Sequence, residues 1–100
     1  MSGSLSDEAF LAFEALERAL KNLERDLSDG EGVFVTSALQ PAIPLLLNQI
    51  VRQGPLLIIL AHDSEGQAHK LVMAPGQMAI QFSTGPVGIE LEPIGFIDRS

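Results

Sequence analysis

The chain contains no cysteine, tryptophan or tyrosine, and only six of its 100 residues are lysine or arginine. Without cysteine it can form no disulfide and carries no thiolate, which fits a reducing compartment. The six basic residues are scattered and two aromatic residue types are absent. The chain therefore lacks the charge and stacking surfaces of nucleic-acid binders, and none is expected as a partner. The net charge of −7 favours a basic protein partner instead.

Long apolar runs are also absent. Prolines and polar residues interrupt the most apolar segment, between residues 41 and 54, well before the roughly 20 residues that a membrane helix needs. Acidic residues follow Met1–Ser4 closely, so no positively charged signal segment is predicted. We therefore expect a cytoplasmic protein that does not contact membranes.

Charge is distributed unevenly along the chain. Eleven of its nineteen charged residues lie in residues 1–31, whereas residues 33–61 contain only Arg52. One hundred residues is the size of one domain. We expect a single domain over 1–100, with a disordered tail at 1–5, an acidic amphipathic helix at 6–28 and an apolar sheet over 33–98.

The helix at 6–28 has the clearest pattern. Apolar residues recur at alternating spacings of four and three, which places them in one stripe along a helix. Glu17 and Lys21 form an i,i+4 pair in the favoured order. The stripe consists of Ala9, Phe13, Leu16, Leu20, Leu23 and Leu27.

The next segment predicts a parallel β-α-β crossover. Residues 33–36 are rich in β-branched residues and predict a short strand. Pro41 suits the first turn of a second helix over 41–53, and residues 56–61 then form a buried strand. A helix of this length between two strands is typical of a parallel crossover.

Three turn signals divide the remainder into strands at 55–62, 67–73, 78–84 and 87–93. Short turns between such segments predict a four-stranded antiparallel meander. The predicted fold class is α+β, in the order α-β-α-β-β-β-β. It is a mixed sheet with one parallel crossover followed by the meander, and both helices pack on the sheet.

Hairpins symmetric about these turns also predict a register. Leu60 lies opposite His69, His69 opposite Phe82, and Phe82 opposite Ile89, with a second apolar row beside them. One face would then be almost wholly apolar and wider than one helix can cover, so we predict a homodimer. The predicted interface consists of Leu60, Leu71, Ile80, Phe82, Ile89 and Leu91.

The two histidines are the candidate polar site. In the predicted register His62 and His69 share a face, with Gln67 and Thr84 nearby, within reach of a common ligand. No third ligand completes a metal site, so we predict no metal and no cofactor, and assign no catalytic residue. A structural role for both histidines is favoured.

These features predict a small acidic homodimeric protein that acts by association, as a binding or adaptor protein. One alternative is a binder of small apolar ligands, with a pocket at the apolar sheet face. The other is an enzyme that uses His62 and His69.

Overall fold

A computed structural model describes residues 5–37, 40–77, 79–89 and 91–99. Over these residues the chain forms one α-helix, six β-strands and a short 3₁₀ turn, a small α+β fold. Residues 1–4 of the predicted tail lie outside the described residues, and Leu5 already begins the helix. The elements are α1 (Leu5–Arg25), β1 (Glu31–Ser37), β2 (Gln40–Gln53), β3 (Leu56–His62), β4 (Ala68–Met73), the 3₁₀ turn (Pro75–Gln77), β5 (Ile80–Pro86) and β6 (Gly95–Arg99).

Five strands follow the order β4-β3-β2-β1-β5, and each neighbouring pair is antiparallel. The sixth strand, β6, pairs in parallel with the second half of β2. On that side β2 pairs first with β1, as far as Leu46, and then with β6, from Gln49 onward. Two strands from distant parts of the chain therefore share one edge of β2.

The predicted amphipathic helix is confirmed. Ala9, Phe13 and Leu20 of its stripe are buried, and the other three stripe residues pack against the core. Lys21 Nζ lies 3.0 Å from Glu17 Oε2. The helix ends at Arg25 rather than residue 28, because the next amides bond to carbonyls three residues back and so tighten the last turn.

The predicted helix at 41–53 is wrong, and with it the parallel crossover. Residues 40–53 form β2, which lies between β1 and β3 and is antiparallel to both. Pro41 and Pro44 fall in the first part of β2, before its pairing with β3 begins at Leu46. A strand tolerates proline where one of its sides is unpaired, because the missing N–H is not needed there.

A β-bulge explains why β2 resembles a helix in sequence. Leu47 pairs with Ala61 and Gln49 with Leu60, so Asn48 is an extra residue without a partner on β3. The bulge shifts the alternation of side chains by one position. Residues 45, 47, 50 and 52 of β2 are consequently buried on one face of the sheet. Apolar residues of the other face lie between them in sequence, so the combined apolar positions recur at the spacing of a helix.

The predicted meander is correct for its first hairpin and wrong beyond it. β3 and β4 pair as expected. After the 3₁₀ turn, however, β5 pairs with β1 at the opposite end of the sheet rather than with β4. Residues 87–89 and 91–94 contain no strand in the described chain, and the last strand is β6 instead.

Arg52 connects three elements. It is 9% exposed, and its Nε lies 2.5 Å from Asp98 Oδ1 of β6. Its Nη1 donates to the Gly54 carbonyl at 3.1 Å, and the guanidinium lies over the Phe10 ring of α1. These contacts satisfy a buried charge and hold β6 and α1 against β2.

Within the described residues, no helix is long and apolar enough to cross a membrane.

Candidate functional site

The two faces of the sheet differ in what covers them. The helix face, defined as the side that packs on α1, includes Val33, Val35, Ile50, Leu57 and Ile59, which are all buried. α1 contributes Phe13 and Leu20 to the same cluster. The main hydrophobic core therefore lies between α1 and this face.

The opposite side, which we call the open face, carries a line of apolar side chains across four strands. Val72 of β4 pairs with Ile58 of β3, Ile58 with Val51 of β2, and Val51 with Ile97 of β6. Paired residues point to the same side of a sheet, so these four form one apolar row. Leu56 and Leu60 extend it along β3.

Much of the apolar row is accessible to solvent. Val72 is 54% exposed and Leu56 is 38% exposed, whereas Val51 at the centre is 6% exposed. α1 packs on the other face. Val87 and Leu91 reach the open face near Gly32, where a Cβ would lie 2.8 Å from side-chain atoms of both. Among the described residues, we find no element that covers the apolar row itself.

A groove of about 800 Å³ lies at the end of the open face where Leu60 is located. Leu46 and Leu60 contribute apolar surface, and Leu91–Pro93 form one wall. β4 forms the opposite wall. The polar residues that line the groove are Asn48, Gln49, His62, His69, Lys70 and Glu92.

The β2 bulge positions one polar pair in this groove. Asn48 Oδ1 contacts His62 Nδ1. An amide oxygen can only accept a hydrogen bond, so His62 Nδ1 is the donor in this contact. Both side chains are partly buried. This contact fixes the orientation of the imidazole and leaves the Asn48 amide group available as a donor.

His69 belongs to a different arrangement, in the β3–β4 turn. Its Nε2 lies 2.9 Å from Asp63 Oδ2, and Asp63 Oδ1 accepts from the backbone amides of Glu65 and Gln67. The hydrogen bond from His69, followed by that from the Gln67 amide, lowers the pKa of the Asp63 carboxyl. Asp63 therefore acts as the hydrogen-bonding centre of the turn, which supports a structural role for His69.

The predicted register of this hairpin is wrong by one residue. His62 pairs with Ala68, and His69 with Ala61. The loop contains five residues, 63–67, instead of four, and Gly66 adopts a positive φ of 82° within it. A one-residue change reverses the face of every side chain. The two histidines therefore point to opposite sides of the sheet.

The other predicted polar residues lie apart from the groove. Gln67 is exposed in the turn. Thr84 lies on β5 and pairs with Val33 of β1. In the strand order β5 is at the opposite end from β4. No group of three or more possible metal ligands occurs among the described side chains.

The predicted interface residues do not share one face. Leu71, Ile80 and Phe82 pack against the core on the helix face. Leu60 lies on the open face, and Ile89 is 61% exposed in the loop that follows β5. Leu91 packs beside Gly32. The expectation of surplus apolar surface stays a prediction, with different residues as its candidates.

Sequence reasoning missed the apolar row because of the same register error. The predicted four-residue loop puts Ile58 on the same face as Leu71 and puts Val72 on the opposite face. A five-residue loop would have brought Ile58 and Val72 together. The available signal was Gly66, since glycine at the end of a hairpin loop often adopts positive φ and extends the loop.

No family model, curated protein or solved structure matches this chain.

Proposed function

We propose that the protein acts by association, as a homodimeric binding or adaptor protein, and that two copies meet through their open faces. The exposed apolar row is the observation that carries this proposal. Exposed apolar surface that forms a continuous patch, rather than isolated residues, is typical of interaction sites. Val72, Ile58 and Ile97 form such a patch around the buried Val51, and Leu56 and Leu60 widen it.

The size of the open face suits this role. The molecule measures 49 × 27 × 18 Å, so its broad side is about 49 by 27 Å. A stable interface buries roughly 800 Å² per partner, which is smaller than that broad side. Two open faces could therefore pack together as the sheets of a β-sandwich do, with the row at the centre.

The strand edges are less suitable than the face for pairing two copies. β4 is six residues long and carries Lys70 in its middle, and an edge lysine opposes strand addition. At the other end of the five-strand order, β5 ends in Gly85 and Pro86. These residues weaken edge-to-edge pairing at β4 and β5, and face-to-face packing is the geometry that we propose.

The acidic surface would stay accessible in such a dimer. Glu8 and Glu14 are exposed on α1, which lies on the opposite side of the sheet from the row. A basic protein could bind there while the open faces are in contact, which is the adaptor part of the proposal. We propose the cytoplasm as its location, because the absence of cysteine fits a reducing compartment.

Sedimentation velocity over a wide range of protein concentration tests the dimer. We expect a monomer–dimer equilibrium for the natural sequence and a monomer for Val72→Glu. A charge placed at this half-exposed position would be removed from water in the dimer but solvated in the monomer. Circular dichroism should show that the variant keeps its fold.

Two control variants place the same charge elsewhere. Leu11 is 64% exposed on α1 and Ile89 is 61% exposed in the loop, and both lie outside the apolar row. Leu11→Glu and Ile89→Glu should dimerise like the natural sequence. The proposal is wrong if the natural chain is monomeric throughout, or if either control disrupts the dimer as strongly as Val72→Glu.

A further inference from the structure

We infer that the groove at the end of the open face binds a small molecule with an apolar body and a single carboxylate head group. This inference does not depend on the proposed dimer. It rests on the shape of the groove, its apolar surface and the position of one lysine. The groove volume of about 800 Å³ lies within the range of roughly 300–1,000 Å³ that is usual for small-molecule sites.

The apolar body has a matching surface. Leu46, Leu60 and Leu91 all line the groove and all are partly exposed within it. They come from β2, β3 and the 91–94 segment, so the apolar surface runs across the strands. An alkyl or aromatic group lying on these three side chains would remove their apolar surface from water, which favours binding.

Lys70 is the feature that selects a carboxylate. It lines the groove from β4, is exposed, and forms no ion pair with any described residue. Glu92 lines the groove from the 91–94 segment, away from β4. A negatively charged head group is therefore attracted to the β4 wall and repelled from the other.

Neutral hydrogen-bonding groups support the same head group. The contact between His62 and Asn48 Oδ1 leaves the Asn48 amide N–H groups free to donate. Gln49 lines the groove beside Gly95, where a Cβ would come within 3.2 Å of the Gln49 side chain. One cation together with amide donors suits a singly charged carboxylate, whereas phosphate groups usually engage several cations or a set of backbone amides.

Titration with decanoate, below its micelle concentration, tests this inference. Calorimetry gives the Kd, and amide chemical shifts in NMR spectra locate the ligand. We expect the largest shifts at Leu60, His62 and Lys70, and small shifts along the outer surface of α1. Decanol, which has the same chain without the charge, should bind about tenfold more weakly, as expected for loss of one charge-assisted hydrogen bond.

A matched pair of variants isolates the role of the lysine. Lys70→Met keeps the apolar stem and removes the charge, and should weaken decanoate binding about tenfold without changing decanol binding. Arg99 also lies on the open face, on β6, but does not line the groove. Arg99→Met should therefore leave the Kd for decanoate unchanged.

The possible outcomes separate this inference from the dimer proposal. Decanoate binding to the Val72→Glu variant would show that the groove acts without association. Equal affinity for decanoate and decanol would overturn carboxylate recognition, as would equal losses in Lys70→Met and Arg99→Met. Absence of shifts around the groove in both the natural chain and Val72→Glu would overturn the site itself, whatever the oligomeric state.

Discussion

The two faces of β3 carry nearly the same residues but have different surroundings. Leu57 and Ile59 on the helix face are fully buried, whereas Leu56 on the open face is 38% exposed and Ile58 is partly exposed. A strand that is apolar on both sides is typical of a sheet covered on both sides. In this chain α1 covers one side. Burial is therefore decided by what lies over the strand, and the side away from α1 remains partly exposed although it is apolar.

The adjacent leucines of β3 give the largest expected contrast. Leu57→Ala should lower the free energy of unfolding by about 2–5 kcal/mol, because it leaves a cavity under α1. Leu56→Ala should lower it by less than about 1 kcal/mol, because this side chain is already partly in water. Urea unfolding of the monomer at low concentration gives both values. Equal losses would mean that both faces are covered, and would contradict the description of an open face.

A pair of glycines tests the packing of Val87 and Leu91 over the open face near Gly32. Gly32 and Gly85 are cross-strand partners on β1 and β5. A Cβ on Gly32 would lie within 2.9 Å of Leu91, Val87 and Leu46, whereas one on Gly85 would be 3.4 Å from Phe34. Gly32→Ala should therefore destabilise the fold by about 1–3 kcal/mol through overpacking, measured by thermal or urea unfolding.

Gly85→Ala is the matched control for this prediction. Its Cβ would make ordinary van der Waals contact, and Gly85 has no positive φ. We expect a change in the free energy of unfolding close to zero. Similar destabilisation by both substitutions would mean that Val87 and Leu91 do not pack over Gly32.

The smallest expected effect concerns the β3–β4 turn and depends on pH. The pKa of Asp63 is lower in the folded chain than its ordinary value of 3.8, so ionised Asp63 stabilises the fold. This stabilisation is complete above the ordinary value and is lost as pH falls through the lowered pKa. Asp63→Asn should be less stable than the natural chain near neutral pH, and the difference should shrink below about pH 4.

Urea unfolding of both proteins at several pH values checks this prediction. Gln67→Ala is a suitable control, because Gln67 contributes its backbone amide to Asp63 and its side chain is exposed. Its stability should follow that of the natural chain at every pH. A difference between Asp63→Asn and the natural chain that persists unchanged at low pH would show that the carboxylate charge is not responsible.

Local patterns were sufficient to predict some elements. The prediction of α1 is correct because the 3–4 spacing of its apolar residues reflects one helix face that packs on the sheet over about five turns. The β3–β4 hairpin was correct because two apolar segments flank a loop with strong turn residues. In both cases the pattern that signals the element lies within one short stretch of sequence, although α1 itself packs on distant strands.

Long-range interactions decided the rest. The bulge at Asn48 gave β2 a helix-like spacing of apolar residues, and neighbouring strands are what make the bulge acceptable. The turn at Ala74–Gln77 is compatible with a hairpin to β4 or with a crossing that brings β5 to β1. The crossing occurs because β5 pairs with β1, which lies about fifty residues earlier in the chain. At the candidate site, His62 was identified from its residue type, but its neighbours Asn48 and Lys70 depend on the register.

The sharing of one edge of β2 by β1 and β6 has a consequence for the order of folding. β2, β3 and β4 are consecutive and pair through short loops, so we expect them to form early, since closing short loops costs little entropy. β6 joins β2 across more than forty residues and brings Ile97 to the apolar row. The row is complete only after this late, long-range step. Nascent or partly folded chains would therefore lack the full surface for the pairing that we propose, and a dimer of that kind would form only from molecules that have finished folding.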